Sequence, residues 1–286
     1  MSGAAAGAAT ADGTAPGDGT VGLSVVIPAY NEEDRLGPSL DAVTAYLRAH
    51  EDRFGPWEVV VADDGSTDGT AALVTARRDP RVRLVAGERN RGKGHALRRG
   101  VAASRCRRVL LTDADIAHAP DSLRRLVAAA RTGGFDVVSQ MARLRVESLW
   151  ERLVVPAFVY FFAQLYPFRW IGRRGGRTAA AAGGCVLLRA ETAERARIPD
   201  AIRHAVIDDV ALARAVKGGG GHIRLGLADR VDSVRPYPRL HDLWRMVSRS
   251  AYAQLRHNPL LLAGTVAGLA LVYLAPPVAL VTGVAA

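Results

Sequence analysis

The sequence predicts an α/β fold with a mainly parallel central sheet, and three observations lead there. Short β-branched and leucine-rich runs recur at residues 23–28, 57–62, 82–85 and 109–112, each one strand long and apolar enough to be covered on both faces. Stretches with helical spacing of apolar residues separate them, which makes βαβ units with right-handed crossovers. The runs also end in polar residues: Asn31 after the first, Asp63-Asp64 after the second, Asp113 and Asp115 after the fourth. Ligands of open α/β sheets gather beyond the carboxyl ends of the strands, so these acids are expected in one site.

Residues 1–20 are mostly Ala, Gly, Thr and Asp. They cannot offset the entropy of ordering, and a disordered tail is expected. The tail lacks the basic start and apolar core of a secretory signal, so the following domain, residues 21–235, is expected to begin in the cytoplasm. In that domain Leu36, Leu40, Val43 and Leu47 mark a helix over 36–50. Asp64-Gly65-Ser66-Thr67-Asp68-Gly69-Thr70 supplies turn glycines and a cap for a helix over 71–77, a role that does not require two adjacent acids.

Arg89-Asn90-Arg91-Gly92-Lys93-Gly94-His95-Ala96 is a basic loop opening a helix over 94–103. It suits a phosphate, through backbone N–H groups and the Lys93 charge. Gly87 to Lys93 has P-loop spacing, but Gly94 stands where a magnesium-binding Ser or Thr belongs, and the loop does not follow the first strand. An NTPase is therefore excluded, and without Gly-x-Gly-x-x-Gly after the first strand a dinucleotide-dependent dehydrogenase is disfavoured. Asp113 and Asp115, two apart in extended backbone, point the same way and can converge on one cation or ligand. Burying them without a positive partner costs several kcal/mol or keeps one protonated.

Residues 149–170 are aromatic and apolar but broken by Pro156 and Pro167. They fit an interfacial helix or the wall of a lipid groove, with a core helix as the alternative. The small residues of 179–185 precede a strand over 186–188 and permit close approach of a ligand to the backbone. Asp208-Asp209 opens an apolar helix, where one acid would satisfy the cap and the helix dipole. Residues 236–258, with Arg245, Arg249, Arg256 and His257, are expected to form a basic amphipathic juxtamembrane helix on the cytoplasmic side. Residues 259–286 carry no charge and are expected to form a hydrophobic membrane segment, broken at Pro276-Pro277.

The net charge of +10 calls for an anionic partner such as a nucleotide, a lipid phosphate or a membrane surface. No nucleic-acid-binding motif accompanies it, so nucleic acid is not an expected partner. Cys106 and Cys185 lie far apart without metal-ligand spacing, which disfavours a disulfide framework and a zinc site.

Val25-Val26-Ile27-Pro28-Ala29-Tyr30-Asn31-Glu32, Asp63-Asp64-Gly65-Ser66-Thr67-Asp68-Gly69-Thr70 and Asp113-Ala114-Asp115, in that order and spacing, resemble the inverting family 2 glycosyltransferases of GT-A fold. From about Leu110 onward the chain resembles the hopene-associated glycosyltransferases, whereas the Arg89–Gly94 loop resembles dolichyl- or polyprenyl-phosphate glucosyl- and mannosyltransferases. The resemblance implies a membrane-associated enzyme with its catalytic domain on the cytoplasmic face of the cell membrane, a UDP- or GDP-sugar donor and a divalent cation, Mg²⁺ or Mn²⁺. It implies donor-binding roles for Pro28, Tyr30, Asn31, Glu32, Asp63, Asp64, Lys93, Asp113 and Asp115, with Asp115 and Asp113 also on the metal. It further implies a catalytic base at Asp209 beside Asp208, and an acceptor side at Gly184, Cys185, Trp244 and Arg245.

A hydroxyl acceptor must lose a proton during attack, so Asp208-Asp209 points to a lipid hydroxyl such as a hopanoid. A lipid phosphate needs no base, and the Lys93 loop points to one. Both stay open, as does a non-catalytic nucleotide-sugar-binding membrane scaffold.

Overall fold

The computed structural model describes residues 22–201, 208–255 and 258–283. The tail expected over 1–20 lies outside them. Among the described residues eight strands form one sheet: β1 (Leu23–Ala29), β2 (Trp57–Asp63), β3 (Val82–Ala86), β4 (Arg108–Thr112), β5 (Ile116–His118), β6 (Val137–Arg143), β7 (Cys185–Arg189) and β8 (Ile223–Ser233), in the spatial order β3-β2-β1-β4-β7-β6-β8-β5.

The side-chain period of two sorts the core into two layers. Leu23, Val25, Ile27, Val59, Val61 and Leu110 face the helices Glu33–Ala49 and Ser122–Thr132, where Leu36, Leu40, Leu47, Leu123 and Leu126 meet them. Val26, Val60, Val109 and Leu111 face the other way, toward Leu97 and Val101 of the helix Lys93–Ala103 and Val210, Leu212 and Val216 of the helix Asp208–Gly218. Both faces of the central strands are covered, as the uninterrupted apolar runs required.

The sheet is mixed: two strands, β7 and β5, run against the other six of the mainly parallel sheet expected. β3, β2, β1 and β4 are parallel, but β7 runs antiparallel to β4 and β6, and β5 antiparallel to β8, while β6 and β8 pair in parallel. A continuous apolar run signals burial on both faces and carries no information about direction. The reversal matters for the site. Cys185, the first residue of β7, pairs with Thr112, the last of β4, so the small-residue segment before β7 arrives beside Asp113.

β5 holds a buried polar knot. The Thr112 hydroxyl donates to the Gly184 carbonyl at 3.0 Å, so its oxygen accepts from His118 Nε2 at 2.8 Å. Burial pushes the His118 imidazole down to about 4. An unfolded-chain histidine titrates near 6.5. Above that value both states are neutral and His118 contributes nothing; as pH falls from 6.5 towards 4 only the unfolded chain takes up the proton, so stability is lost across that window. On the order of 2 kcal/mol should disappear between pH 7 and pH 5 in urea unfolding, and His118→Gln should flatten that part of the slope. An unchanged slope in the variant would mean that His118 is not the group responsible.

The helix Leu149–Leu165 begins with a capping box between Ser148 and Glu151. It has two faces: Glu151 and Val155 are buried, whereas Leu149, Leu153, Tyr160 and Leu165 are exposed, as is Trp170 in the short helix after it. It packs against the helix Leu240–Gln254. Beyond lie the helices Pro259–Tyr273 and Ala275–Thr282, almost wholly exposed and bent by 41°. No single described helix is long and apolar enough to cross a membrane; the bent pair passes together by length and composition. The break falls at Leu274, and Pro276-Pro277 sit in the first turn of the second helix, where proline is tolerated.

Candidate active site

Two tight turns build the floor of the site. Asp63, at the end of β2 and 3% exposed, spends its carboxylate on the backbone N–H groups of Gly65 (3.2 Å) and Ser66 (3.2 Å) and on the Ser66 hydroxyl. Asn31 holds left-handed backbone (φ 54°), and its Oδ1 accepts from Thr67 N at 2.9 Å while its own N–H donates to Ser66 Oγ at 3.0 Å. Glu32 N donates to Thr70 Oγ1 at 2.8 Å, and Gly69 N donates to Glu33 at 2.7 Å. The two motifs recognised in the sequence are thus stitched to each other, edge to edge.

Asp64 reaches the other way. Its Oδ2 accepts from Arg91 N (2.8 Å) and Gly92 N (2.6 Å), and its Oδ1 lies 3.4 Å from His95 Nδ1. This clamps the basic loop so that Lys93, first in its helix, projects its ammonium to 2.7 and 2.8 Å from the two Asp113 oxygens. Gly183 faces the same ammonium from the opposite wall. A Cβ there would lie 3.2 Å from Lys93 Nζ and 3.4 Å from Asp209 Oδ2, so glycine lets the lysine and the second acid close in. Asp209 is oriented by Gly183 N at 2.9 Å and Val210 N at 2.8 Å.

A cleft of about 350 Å³ opens above these groups. Pro28, Tyr30, Glu32, Asp64, Lys93, Asp113 and Asp115 line it, as the sequence motifs required. Arg235, Tyr237 and Arg249 complete the wall. Arg235, just after β8, sets its Nε 2.6 Å from Asp115 Oδ2 and its Nη2 3.4 Å from Glu32 Oε1. Burial opposes its charge, but the Asp115 carboxylate outweighs this and holds its pKa above the ordinary value. Burial raises the Tyr237 phenol, and the Asp115 and Asp113 charges add to that against the opposing Arg235 and Arg249.

Other anticipated residues sit elsewhere. Asn31 and Asp63 shape the turn without lining the cleft. Cys185 is fully buried, and burial pushes its thiol up to about 12. Gly184 packs on Ile116 and offers its carbonyl to Thr112. Trp244 is 69% exposed, and Arg245 turns back to His241 Nε2 at 2.8 Å; Arg249, one helical turn later, is the residue that reaches the cleft. The Asp208 side chain lies outside the described residues. The signal for Arg235 was faint but present: a basic residue directly after a strand, in a sheet whose other strand ends are acidic.

Asp113 and Asp115 lie in the turn after β4, where Ile116 N donates to the Asp113 carbonyl at 3.2 Å, and not in the extended backbone expected from the sequence. Two carboxylates lining one cleft still fit the protein's share of a Mg²⁺ or Mn²⁺ site, because such hard cations take one or two carboxylates together with substrate phosphates and water. Among the described residues no three His, Cys, Asp or Glu side chains gather to hold an ion unaided. A cation at Asp113 and Asp115 would therefore draw its remaining ligands from a bound donor.

Comparison with known proteins places these features in context. The family model for "Glycosyl transferase family 2" matches residues 24–195, more than half of the 286-residue chain. A dolichyl-phosphate beta-glucosyltransferase of Trichomonas vaginalis is 44% identical over 105 residues, 35% of this chain and 31% of that protein. An undecaprenyl-phosphate 4-deoxy-4-formamido-L-arabinose transferase of Pectobacterium atrosepticum is 37% identical over 135 residues, 46% of this chain and 40% of that one. The matches thus span only about a third to two fifths of these relatives' lengths. Among solved structures, a mannosyltransferase of Pyrobaculum calidifontis in complex with GDP-Man and Mn²⁺ superimposes with a TM-score of 0.63 at 22% identity, over 92% of this chain and 79% of that one. The α/β fold with its mixed sheet is GT-A-like.

Proposed function

The chain belongs to glycosyl transferase family 2, and on that premise we propose that it moves a sugar, with inversion, from a UDP- or GDP-sugar to a lipid phosphate of the polyprenyl type at a membrane surface. One observation carries the reading: two carboxylates, Asp113 and Asp115, line a single cleft with three cations, Lys93, Arg235 and Arg249. A diphosphate leaving group and a phosphate acceptor both bring negative charge to that cleft, and fixed cations aimed at developing charge lower the barrier.

In this reading an oxygen of the lipid phosphate attacks the anomeric carbon from the face opposite the diphosphate. The bond from that carbon to the diphosphate oxygen breaks, and its electron pair leaves with the nucleoside diphosphate. No proton has to be removed. Lys93 and Arg235 gather charge on the leaving group, and Arg249 on the acceptor. A divalent cation held by Asp115 and Asp113 would supply Lewis-acid stabilisation of the departing diphosphate.

The names of the relatives support the acceptor class, since they include dolichyl- and undecaprenyl-phosphate transferases. The exposed Leu149, Leu153, Leu165, Trp170 and Trp244, next to the apolar bent helix pair, support seating on a cell membrane, and the basic residues Arg245 and Arg249 just before that pair suit its cytoplasmic face. A lipid hydroxyl acceptor such as a hopanoid is the second reading, favoured by Asp209, a carboxylate oriented by Gly183 N beside the cleft lysine and available as a base.

Incubating the full chain with UDP-glucose or GDP-mannose, Mn²⁺ and either a polyprenyl phosphate or the matching polyprenol separates the two. Product is expected with the phosphate alone, and it should be released by mild acid. Transfer to polyprenol or a hopanoid, abolished by Asp209→Asn, would replace the first reading with the second. Donor binding without transfer to any acceptor would leave the non-catalytic scaffold.

A further inference from the structure

The end of the sheet opposite the cleft carries a second concentration of charge. β4 begins at Arg108, about 13 Å along the strand from Thr112. Arg108 is only 7% exposed, and its Nε and Nη1 have no hydrogen-bond partner. Directly across the antiparallel ladder stands Arg189, whose Nε is also without one. Arg105 and Arg107 line the same pocket, about 420 Å³ in volume. Glu191 and Glu194 stand on its exposed rim and form no ion pair with either central arginine among the described residues.

This arrangement is costly as it stands. Like charges facing each other across a ladder repel; the Asp136 carboxylate offsets part of the Arg189 charge, but Arg108 is buried with its Nε and Nη1 lacking acceptors, so hydration is lost there that nothing replaces. Burial, with Arg189 and Arg131 nearby, depresses the Arg108 pKa. Two guanidinium groups around one concavity match the oxygens of a multiply charged oxyanion, which they bind through paired N–H donors. We propose that this pocket binds a phosphate group, free or carried on an anionic lipid headgroup, through Arg108 and Arg189. The site is separate from the cleft and does not depend on the reading of its chemistry.

Thermal unfolding and calorimetric titration of the full chain with inorganic phosphate, at ionic strength held constant with chloride, test the proposal. Tenfold excess over Kd should raise Tm by about 2–4 °C. Arg108→Met should abolish the phosphate-dependent rise while leaving Tm in phosphate-free buffer equal or higher, because it removes an unmatched buried charge. Arg189→Gln, which keeps Arg108 in place and serves if the methionine variant fails to fold, should weaken binding at least about tenfold. Lys93→Gln, altered only in the cleft, should keep the rise. The proposal is overturned if phosphate leaves wild type unchanged, if the rise survives in both arginine variants, or if Lys93→Gln removes it. Vesicles of phosphatidylcholine with and without phosphatidic acid identify the source. Arginine-dependent binding to the acidic vesicles assigns a headgroup, and an effect confined to inorganic phosphate assigns the free ion.

Discussion

Asp115→Asn should lower sugar transfer by about 10³-fold while the protein stays folded. The carboxylate is 8% exposed, accepts from Arg235 Nε at 2.6 Å and stands beside Asp113 at the strand end where a cation is proposed. Asparagine preserves the shape but removes the charge that orients Arg235 and the anionic ligand that a divalent cation needs. Losing one preorganised electrostatic contact costs 10²–10³ in rate in well-studied enzymes, and here two are lost together. Initial rates at saturating donor, with Mn²⁺ titrated, measure the effect, and far-UV circular dichroism checks the fold. Activity within tenfold of wild type would remove Asp115 from the centre of the chemistry.

Gly65→Ala should destabilise the domain by about 3 kcal/mol or more. Gly65 adopts φ of +76°, which costs an L-residue roughly 1–2 kcal/mol. An added Cβ would also lie 2.6 Å from the backbone Cα and C of Arg89, where no flexible side chain can give way, and forced overpacking adds about 1–3 kcal/mol. Relief requires the Arg89–Lys93 loop to move, which takes the Lys93 ammonium away from Asp113, so stability and turnover should fall together. Gly92→Ala carries a backbone cost without a clash: φ +95° with ψ 160° is a conformation essentially restricted to glycine, but nothing lies within 4 Å. Urea unfolding of Gly65→Ala tests the close approach, and a loss of no more than about 2 kcal/mol, the backbone cost alone, would show that the contact with Arg89 is not rigid.

Much of this site was legible because its acids are tied to local pattern. A β-branched run ending in Asp tells both where a strand stops and what it delivers, so Asp64, Asp113, Asp115 and Lys93 reach one cleft as the motifs require. Asp63 shows the limit: the same strand-end position can be spent on closing a turn, and only hydrogen-bond geometry distinguishes the uses. Arg235 comes from 120 residues beyond its partner Asp115, and no local periodicity encodes such a pairing. Arg245 and Arg249 lie on one face a single turn apart, so choosing between them requires knowing how far along the sheet edge the helix reaches. The direction of β7 was hidden for a related reason, since burial on both faces looks the same in either orientation.

The capping box of the helix Leu149–Leu165 ends in a mechanical linkage. Glu151 is 2% exposed, and its Oε2 accepts from Ser148 N at 2.8 Å while its Oε1 accepts from Tyr237 N at 2.8 Å. Burial alone would raise its pKa, but the Ser148, Tyr237 and Glu147 amides outweigh it and hold the carboxyl at about 2, so the anchor stays charged. Tyr237 lies two residues from Arg235, in the wall of the cleft. One buried carboxylate therefore ties the start of the outer apolar helix to the segment that carries the guanidinium gripping Asp115.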